Sequence, residues 1–263
     1  MDNLRNKSIR IGAVSYLNSK PLIEELDSIA PDAELVLDYP SCLADSLAQR
    51  ELDVALIPSI EFLRNPSYEI ISDACVATHG QVMSVKLFSH VAPENIRLLA
   101  LDSGSRTSVA LVQILLSERY GIAPETTPLS LGSQIESSAA DAILLIGDRA
   151  MHKPAVDFHT VWDLGEEWTR WTGLPFVFAL WAARRGTYLG DIPAALQQAR
   201  DRGLEQLPDI AEREAALLGV SQATILAYLT DNLYFRLGSE EEKGLALFCE
   251  LAEANSLLEN ASP

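Results

Sequence analysis

Two long extended runs, residues 82–89 and 176–183, most constrain how this chain can fold, because each joins segments that read as separate α/β series. Ahead of the first run, apolar strands at 9–14, 33–39 and 53–57 alternate with helices. One helix, at 21–29, is opened by Pro21, where the missing N–H costs nothing. Another begins at Pro40-Ser41, with Leu43 and Leu47 spaced by four. The stretch Asp53-Val54-Ala55-Leu56-Ile57 is nearly all apolar, as a central parallel strand covered on both faces requires. Two extended pieces, 68–71 and 74–78, then lead to the first long run. Between the runs lies a second series, with strands at 96–101, 126–129, 142–146 and 158–164 and helices at 105–120 and 165–172. Residues 191–260 read as a helical tail, broken at Gly203-Leu204, Leu207-Pro208, Gly219-Val220-Ser221 and Gly238-Ser239. Ser221 and Ser239 are the expected N-caps, Ser239 with Glu242 at capping-box spacing.

Alternating strands and helices make α/β wiring. Two crossings imply that the second series was inserted into the first as a lobe of its own. The expected fold is therefore α/β, two-lobed and of the periplasmic-binding-protein type II kind, with two crossover strands and a helical C-terminal tail. Residues 1–88 plus 180–263 form lobe one and 89–179 lobe two. A ligand cleft between lobes is the expected pocket.

The formal charge of −17 argues against nucleic acid or an anionic membrane as partner, since both demand a positive face. No apolar run approaches the ~20 residues needed to span a bilayer. Residues 1–8 are polar, unlike a secretory leader. Three scattered cysteines, Cys42, Cys75 and Cys249, fit a reduced, cytoplasmic protein better than a disulfide framework or a zinc site.

Ligands of open α/β sheets sit beyond the carboxyl ends of the strands. The strand-end turns supply Ser15, Tyr16 and Asn18, then Pro58 and Ser59, then the loop running from Asp102 to Ser108, and Gly147 and Asp148. Ser84 comes from the first crossing. Ser105, Arg106, Thr107 and Ser108 open a long helix, where backbone N–H groups and the dipole favour an anion; Arg106 can grip a carboxylate bidentately. Such a loop is locally positive within an acidic protein. Each group also has a plainer role. Ser105 can simply cap the helix, Asn18 can bond its own turn, Ser84 can satisfy a carbonyl, and Asp148 can cap a short helix. Nucleophile elbow, zincin, phosphate-loop and dinucleotide motifs are absent, and the four histidines show no metal spacing. His79 alone stands where it could reach the cleft. The four tryptophans read as packing around the second crossing.

The string Val14-Ser15-Tyr16-Leu17-Asn18-Ser19-Lys20-Pro21-Leu22 resembles the opening motif of the chorismate dehydratases of the futalosine route to menaquinone. The likeness continues through Asp53-Val54-Ala55-Leu56-Ile57-Pro58, Val82-Met83-Ser84-Val85, Ser105-Arg106-Thr107-Ser108, Leu145-Ile146-Gly147-Asp148 and Thr172-Gly173-Leu174-Pro175-Phe176. The resemblance implies the bilobal fold, no cofactor and no metal, and a small dianion, chorismate, as substrate. The implied reaction gives 3-[(1-carboxyvinyl)oxy]benzoate: a proton leaves ring carbon 3 and the hydroxyl leaves carbon 4. It further implies that the substrate's enolpyruvyl carboxylate takes the proton, while Asn18 and Ser84 orient the substrate. Ser15, Tyr16, Pro58, Ser59, Ser105, Arg106, Thr107, Ser108, Gly147 and Asp148 would bind it. A binding protein of the same fold, a regulator's sensing module and the sister enzyme making 1,4-dihydroxy-6-naphthoate are the alternatives.

Overall fold

A computed structural model describes residues 8–129, 135 and 138–259; positions 1–7 of the polar lead and 260–263 of the tail lie outside the described residues. In chain order, β1 (Arg10–Val14), α1 (Leu26–Ile29), β2 (Glu34–Asp38), α2 (Pro40–Ala48), β3 (Val54–Pro58), α3 (Ser59–Arg64) and β4 (Tyr68–Thr78) come first. A second set follows: β5 (Val85–Ser89), β6 (Leu98–Asp102), α4 (Arg106–Tyr120), β7 (Glu125–Leu129), β8 (Ala142–Ile146), β9 (Thr160–Asp163) and α5 (Leu164–Thr172). The chain then returns through β10 (Phe176–Arg184), α6 (Ile192–Glu205), α7 (Leu207–Leu218), α8 (Gln222–Ala227), β11 (Tyr234–Arg236) and α9 (Ser239–Ala254).

Two sheets result, in the orders β11-β4-β10-β3-β1-β2 and β7-β6-β8-β5-β9. In the first, β1 lies between β2 and β3 and runs parallel to both, whereas β10 fills the gap between β3 and β4 antiparallel to each. In the second, β6 is parallel to β7 and β8, and β5 pairs antiparallel with β8 and β9. The all-apolar strands β3 and β8 are buried along their whole length, the fate expected of strands covered on both faces. One buried apolar cluster extends through both sheets, from Ile11 to Leu115 and Phe248, and a smaller one with Phe88 and Ile143 backs the second sheet.

The crossings differ from their sequence reading. Residues 82–84 are not strand. Met83 sits at φ 61°, in the left-handed region that side chains avoid, and the Asp163 carboxylate accepts the N–H groups of Val82 and Met83 at 2.8 and 2.6 Å. Strand β5 pairs wholly within the second sheet, and Phe176 already pairs with Thr78 in the first. We accordingly propose 85–175 as the inserted lobe, in place of 89–179.

Local bonding explains the other departures. The expected helix at 21–29 is a 3-10 turn, Leu17–Leu22, followed by the single turn α1, with Glu25 left-handed between them. The Ser19 hydroxyl bonds the carbonyls of Val14 and Tyr16, a side-chain competition that disfavours α-helix. The two pieces at 68–71 and 74–78 are one strand; its register against β10 slips between Ile70 and Cys75, a bulge. The tail is not all helix, since β11 adds an edge strand; Tyr228–Asn232 is a single turn of π-helix, a π-turn for short. Gly203 does not break α6: it lets the backbone of Pro21 approach closer than any side chain would permit. Ser221 caps α8 as expected, accepting from the Thr224 N–H. The last helix is capped one residue earlier than expected, with Gly238 at the N-cap donating to Glu241, not Ser239 paired with Glu242.

Candidate active site

The carboxyl ends of β1 and β8, the start of α4 and both crossings converge on a cleft whose empty space, the open solvent at its mouth included, is about 470 Å³. Val14, Pro40, Val76, Val82, Val85, Ile146, Phe178 and Ala179 make its walls apolar; Tyr16, Asn18, Ser84, Ser105 and Ser108 supply the polar groups. Among the described residues, no Asp, Glu, Lys, Arg or His side chain lines it. An anion entering here is met by hydroxyl, phenol and amide donors and by the N-terminal end of the 15-residue α4.

Asn18 stands out chemically. Its Oδ1 is buried and has no hydrogen-bond partner among the described residues. A buried acceptor left unpaired costs about 1–3 kcal/mol. Ser84 is held from several sides. Its N–H donates to Val82 O at 2.7 Å, its carbonyl accepts the Gly147 N–H at 2.9 Å, and its hydroxyl accepts the Tyr228 hydroxyl at 2.8 Å. Ser105 both caps α4, accepting from the Ser108 N–H, and lines the cavity, so its two sequence readings are compatible. Its hydroxyl lies 3.1 Å from that of Ser108.

Tyr16 lies against Gly147, whose φ of 74° only glycine adopts freely; a Cβ there would meet the Tyr16 ring at 2.7 Å. Burial pushes the Tyr16 phenol well above its usual range, with the nearby Asp102 carboxylate adding to the effect. It is therefore a proton-bearing donor at neutral pH. Asp102, fully buried, ties this corner together by accepting the Gly104 and Ile146 N–H groups and an Arg149 guanidinium N–H at 2.6 Å.

Other expected site residues are placed elsewhere. Arg106 does hold a carboxylate, but it is that of Asp45 on α2, both of whose oxygens accept from Nη2 alone (2.9 and 2.8 Å) and not from a two-nitrogen fork, while Nη1 reaches Glu61 on α3 at 3.3 Å. Thr107 and Ser59 lie 3.3 Å apart, with Thr107 Oγ1 accepting the Ile60 N–H and Ser59 donating to Val177 O. These contacts join the two α/β series instead of facing the cavity. Pro58 ends β3 paired with Ala179, and Ser15 is exposed, its N–H on Asp38 O. His79 does not line the cavity: its Nε2 is 2.6 Å from Glu241 and its ring lies against Tyr234. Trp168 packs on Phe176 and Phe248 beside the second crossing, as expected, whereas Trp162 packs on Tyr120. Tyr228, Val76 and Phe178 were not singled out from sequence. Tyr228 sits in the tail, 144 residues from its partner, and carries no local signal.

Asp148 spans the same junction by accepting the Leu17 N–H with both oxygens, at 3.1 and 3.3 Å. Burial raises its carboxyl to about 6, against the opposing effect of the Leu17 bond. A folded value above the unfolded one means stability is fully present near pH 4 and is lost as pH rises through 6. Asp148→Asn is therefore expected to match the parent near pH 4 and exceed it at pH 7.5 by on the order of 2 kcal/mol. Thermal unfolding at both pH values checks this; a variant equally destabilised at both would show that the carboxylate is favoured in the fold.

Among the described residues, no group of three or more His, Cys, Asp or Glu is arranged to hold a metal, and no helix is long and apolar enough to cross a membrane. A family model described as "Menaquinone biosynthesis" matches residues 9–254. A chorismate dehydratase of Thermus thermophilus is 35% identical over 229 residues, covering 80% of this chain and 83% of that one. Among solved structures, an Archaeoglobus fulgidus protein superposes with a TM-score of 0.75 at 16% identity, over 95% of this chain and 98% of its own. The periplasmic aliphatic sulphonate-binding protein SsuA of Escherichia coli gives 0.62 at 14%, over 97% and 94%. At such identities these two speak for the fold alone, which is periplasmic-binding-protein-like.

Proposed function

Since the chain belongs to the menaquinone biosynthesis family, we propose that it is a chorismate dehydratase, a hydro-lyase converting chorismate to 3-[(1-carboxyvinyl)oxy]benzoate. The observation that carries the site assignment is the buried, unpartnered Asn18 Oδ1 in a cavity that also holds the Ser84 hydroxyl. An acceptor and a donor together match one hydroxyl group, which both gives and accepts a hydrogen bond. In this reading Asn18 accepts the proton of the carbon-4 hydroxyl and Ser84 donates to its oxygen. Donation grows in value as that oxygen takes on negative charge, which is how a fixed donor lowers a barrier. Ser105, Ser108 and the start of α4 receive a carboxylate; the apolar walls take the ring.

A base must remove the carbon-3 proton, and among the described residues the cavity wall offers no carboxylate or imidazole. The enolpyruvyl carboxylate, attached through oxygen to carbon 3, is within reach of that proton and takes it. The C–H electron pair becomes the ring double bond, and the carbon-4 hydroxyl leaves with its pair. Aromatisation drives the step. Asp148→Asn and His79→Ala should therefore both keep single-turnover activity; loss in either would assign the base to the protein.

Arg106, occupied by Asp45 and Glu61, joins the two lobes and does not touch the substrate in this scheme. Arg106→Gln should raise KM for chorismate a few-fold with kcat nearly unchanged, and alter stability by no more than about 1 kcal/mol, since these pairs are partly exposed. A hundredfold fall in kcat would return Arg106 to the substrate. A cytoplasmic setting goes with the same reading, and all three cysteines are free. The decisive experiment mixes purified protein with chorismate and follows the aromatic product by NMR. Unchanged chorismate would favour a non-catalytic binding protein, and a naphthoate product from the corresponding precursor would favour the sister enzyme.

A further inference from the structure

Resting on the dehydratase reading, we propose that Tyr228 is a positioning residue: its hydroxyl fixes and polarises Ser84 so that the serine proton points at the departing hydroxyl. The tyrosine is fully buried and donates to Ser84 Oγ at 2.8 Å. With one lone pair of the serine oxygen committed, rotation of the serine O–H is restricted. Among the described residues, the other partner in range for that proton is Val82 O at 3.4 Å, near the limit of a hydrogen bond. The proton is thus held by nothing strong and remains available to a ligand in the cavity that Ser84 lines.

The surrounding backbone is built to keep this arrangement. Met83 is held in a left-handed conformation that side chains avoid, and such strain gathers at functional sites. Asp163 clamps it from one side through two N–H groups. The π-turn Tyr228–Asn232 clamps the same segment from the other, through Tyr228 on Ser84 and Asn232 Nδ2 on Gln81 O at 2.9 Å. π-turns are rare and recur at functional sites. A bond received by an oxygen makes its own O–H a better donor. Burial holds the Tyr228 phenol far above its usual range, so it stays protonated and keeps donating.

Tyr228→Phe should lower kcat about tenfold, the scale of one lost buried hydrogen bond, with KM within twofold. The same substitution made on a Ser84→Ala background should cause no further loss, because the group through which it acts is gone. A role in packing alone would act equally in both backgrounds, and that result, or parental kcat in Tyr228→Phe, overturns the proposal. Difluorotyrosine placed at 228 covers the case in which Tyr228→Phe does not fold. It keeps the donor and strengthens it, so kcat should rise at least twofold below the pH at which the fluorinated phenol ionises; no change overturns the proposal. A parent protein that leaves chorismate intact removes the dehydratase reading first, and the role of Tyr228 falls with it.

Discussion

Asn18→Ala should lower kcat/KM for chorismate by about 10²–10³-fold, the range for losing a polar group aimed at developing charge, while leaving the melting temperature unchanged or raised. The second half of that expectation follows from the Oδ1 atom, which is buried and has no partner among the described residues. Deleting an unsatisfied acceptor removes a cost of about 1–3 kcal/mol, offset by the packing lost with the side chain. At about 2–4 °C per kcal/mol for a chain of this size, the net change is a few degrees at most. A residue kept for stability behaves in the opposite way. Asn18→Asp sharpens the test, because it keeps the shape but sets a negative charge before a dianion, and it should bind chorismate more weakly still. Circular dichroism melts beside the NMR assay decide the matter. Undiminished turnover in Asn18→Ala would remove Asn18 from the site.

Gly147→Ala should destabilise the protein and also disable it. At φ 74° and ψ −162° the residue occupies a region essentially reserved for glycine, costing about 1–3 kcal/mol for any other. The added methyl would also meet three atoms of the Tyr16 ring, at 2.7, 2.7 and 3.0 Å. Relieving such overpacking costs about 1–3 kcal/mol more, so Tm should fall by on the order of 10 °C. The ring can yield towards the cavity, and turnover should drop at least tenfold even well below Tm. Gly104→Ala makes the comparison informative. It meets the Tyr16 hydroxyl at 3.1 Å with no positive φ, and should have a milder effect on both measures. Equal effects from the two would mean that backbone strain at 147 contributes little.

Much of this was legible in the chain because it is written locally. Apolar runs such as Val54-Ala55-Leu56-Ile57 announce covered strands, and several residues that end strands, though not Ser15, Pro58 or Ser59, fall on the cavity. Thus Tyr16, Asn18, Ser84, Ser105, Ser108 and Gly147 were placed on the cavity by strand-end reasoning and by resemblance together. What failed was what depends on partners distant in sequence. Arg106 has the chemistry to hold a substrate carboxylate, and nothing local reveals that Asp45 and Glu61 take it. Alternation at 82–89 suggested one strand, whereas Asp163 pulls its first residues out of the ladder. Tyr228 was lost in a tail whose periodicity looked like ordinary helix.

The placement of β10 has a consequence for how the molecule is made. This strand is hydrogen-bonded to β3 on one side and β4 on the other. Until residue 184 has left the ribosome, the two halves of the first sheet have no strand to join them and their apolar edges stay bare. The second sheet takes all its strands, β5 to β9, from one continuous stretch and lacks this handicap, so it should mature first during vectorial synthesis. Pulse-labelled amide exchange during refolding should find protection at Ala142–Ile146 before Val54–Pro58; the reverse order would show that the first sheet collapses without its middle strand. Because Tyr228 arrives later still, the chain would acquire its shape well before its chemistry.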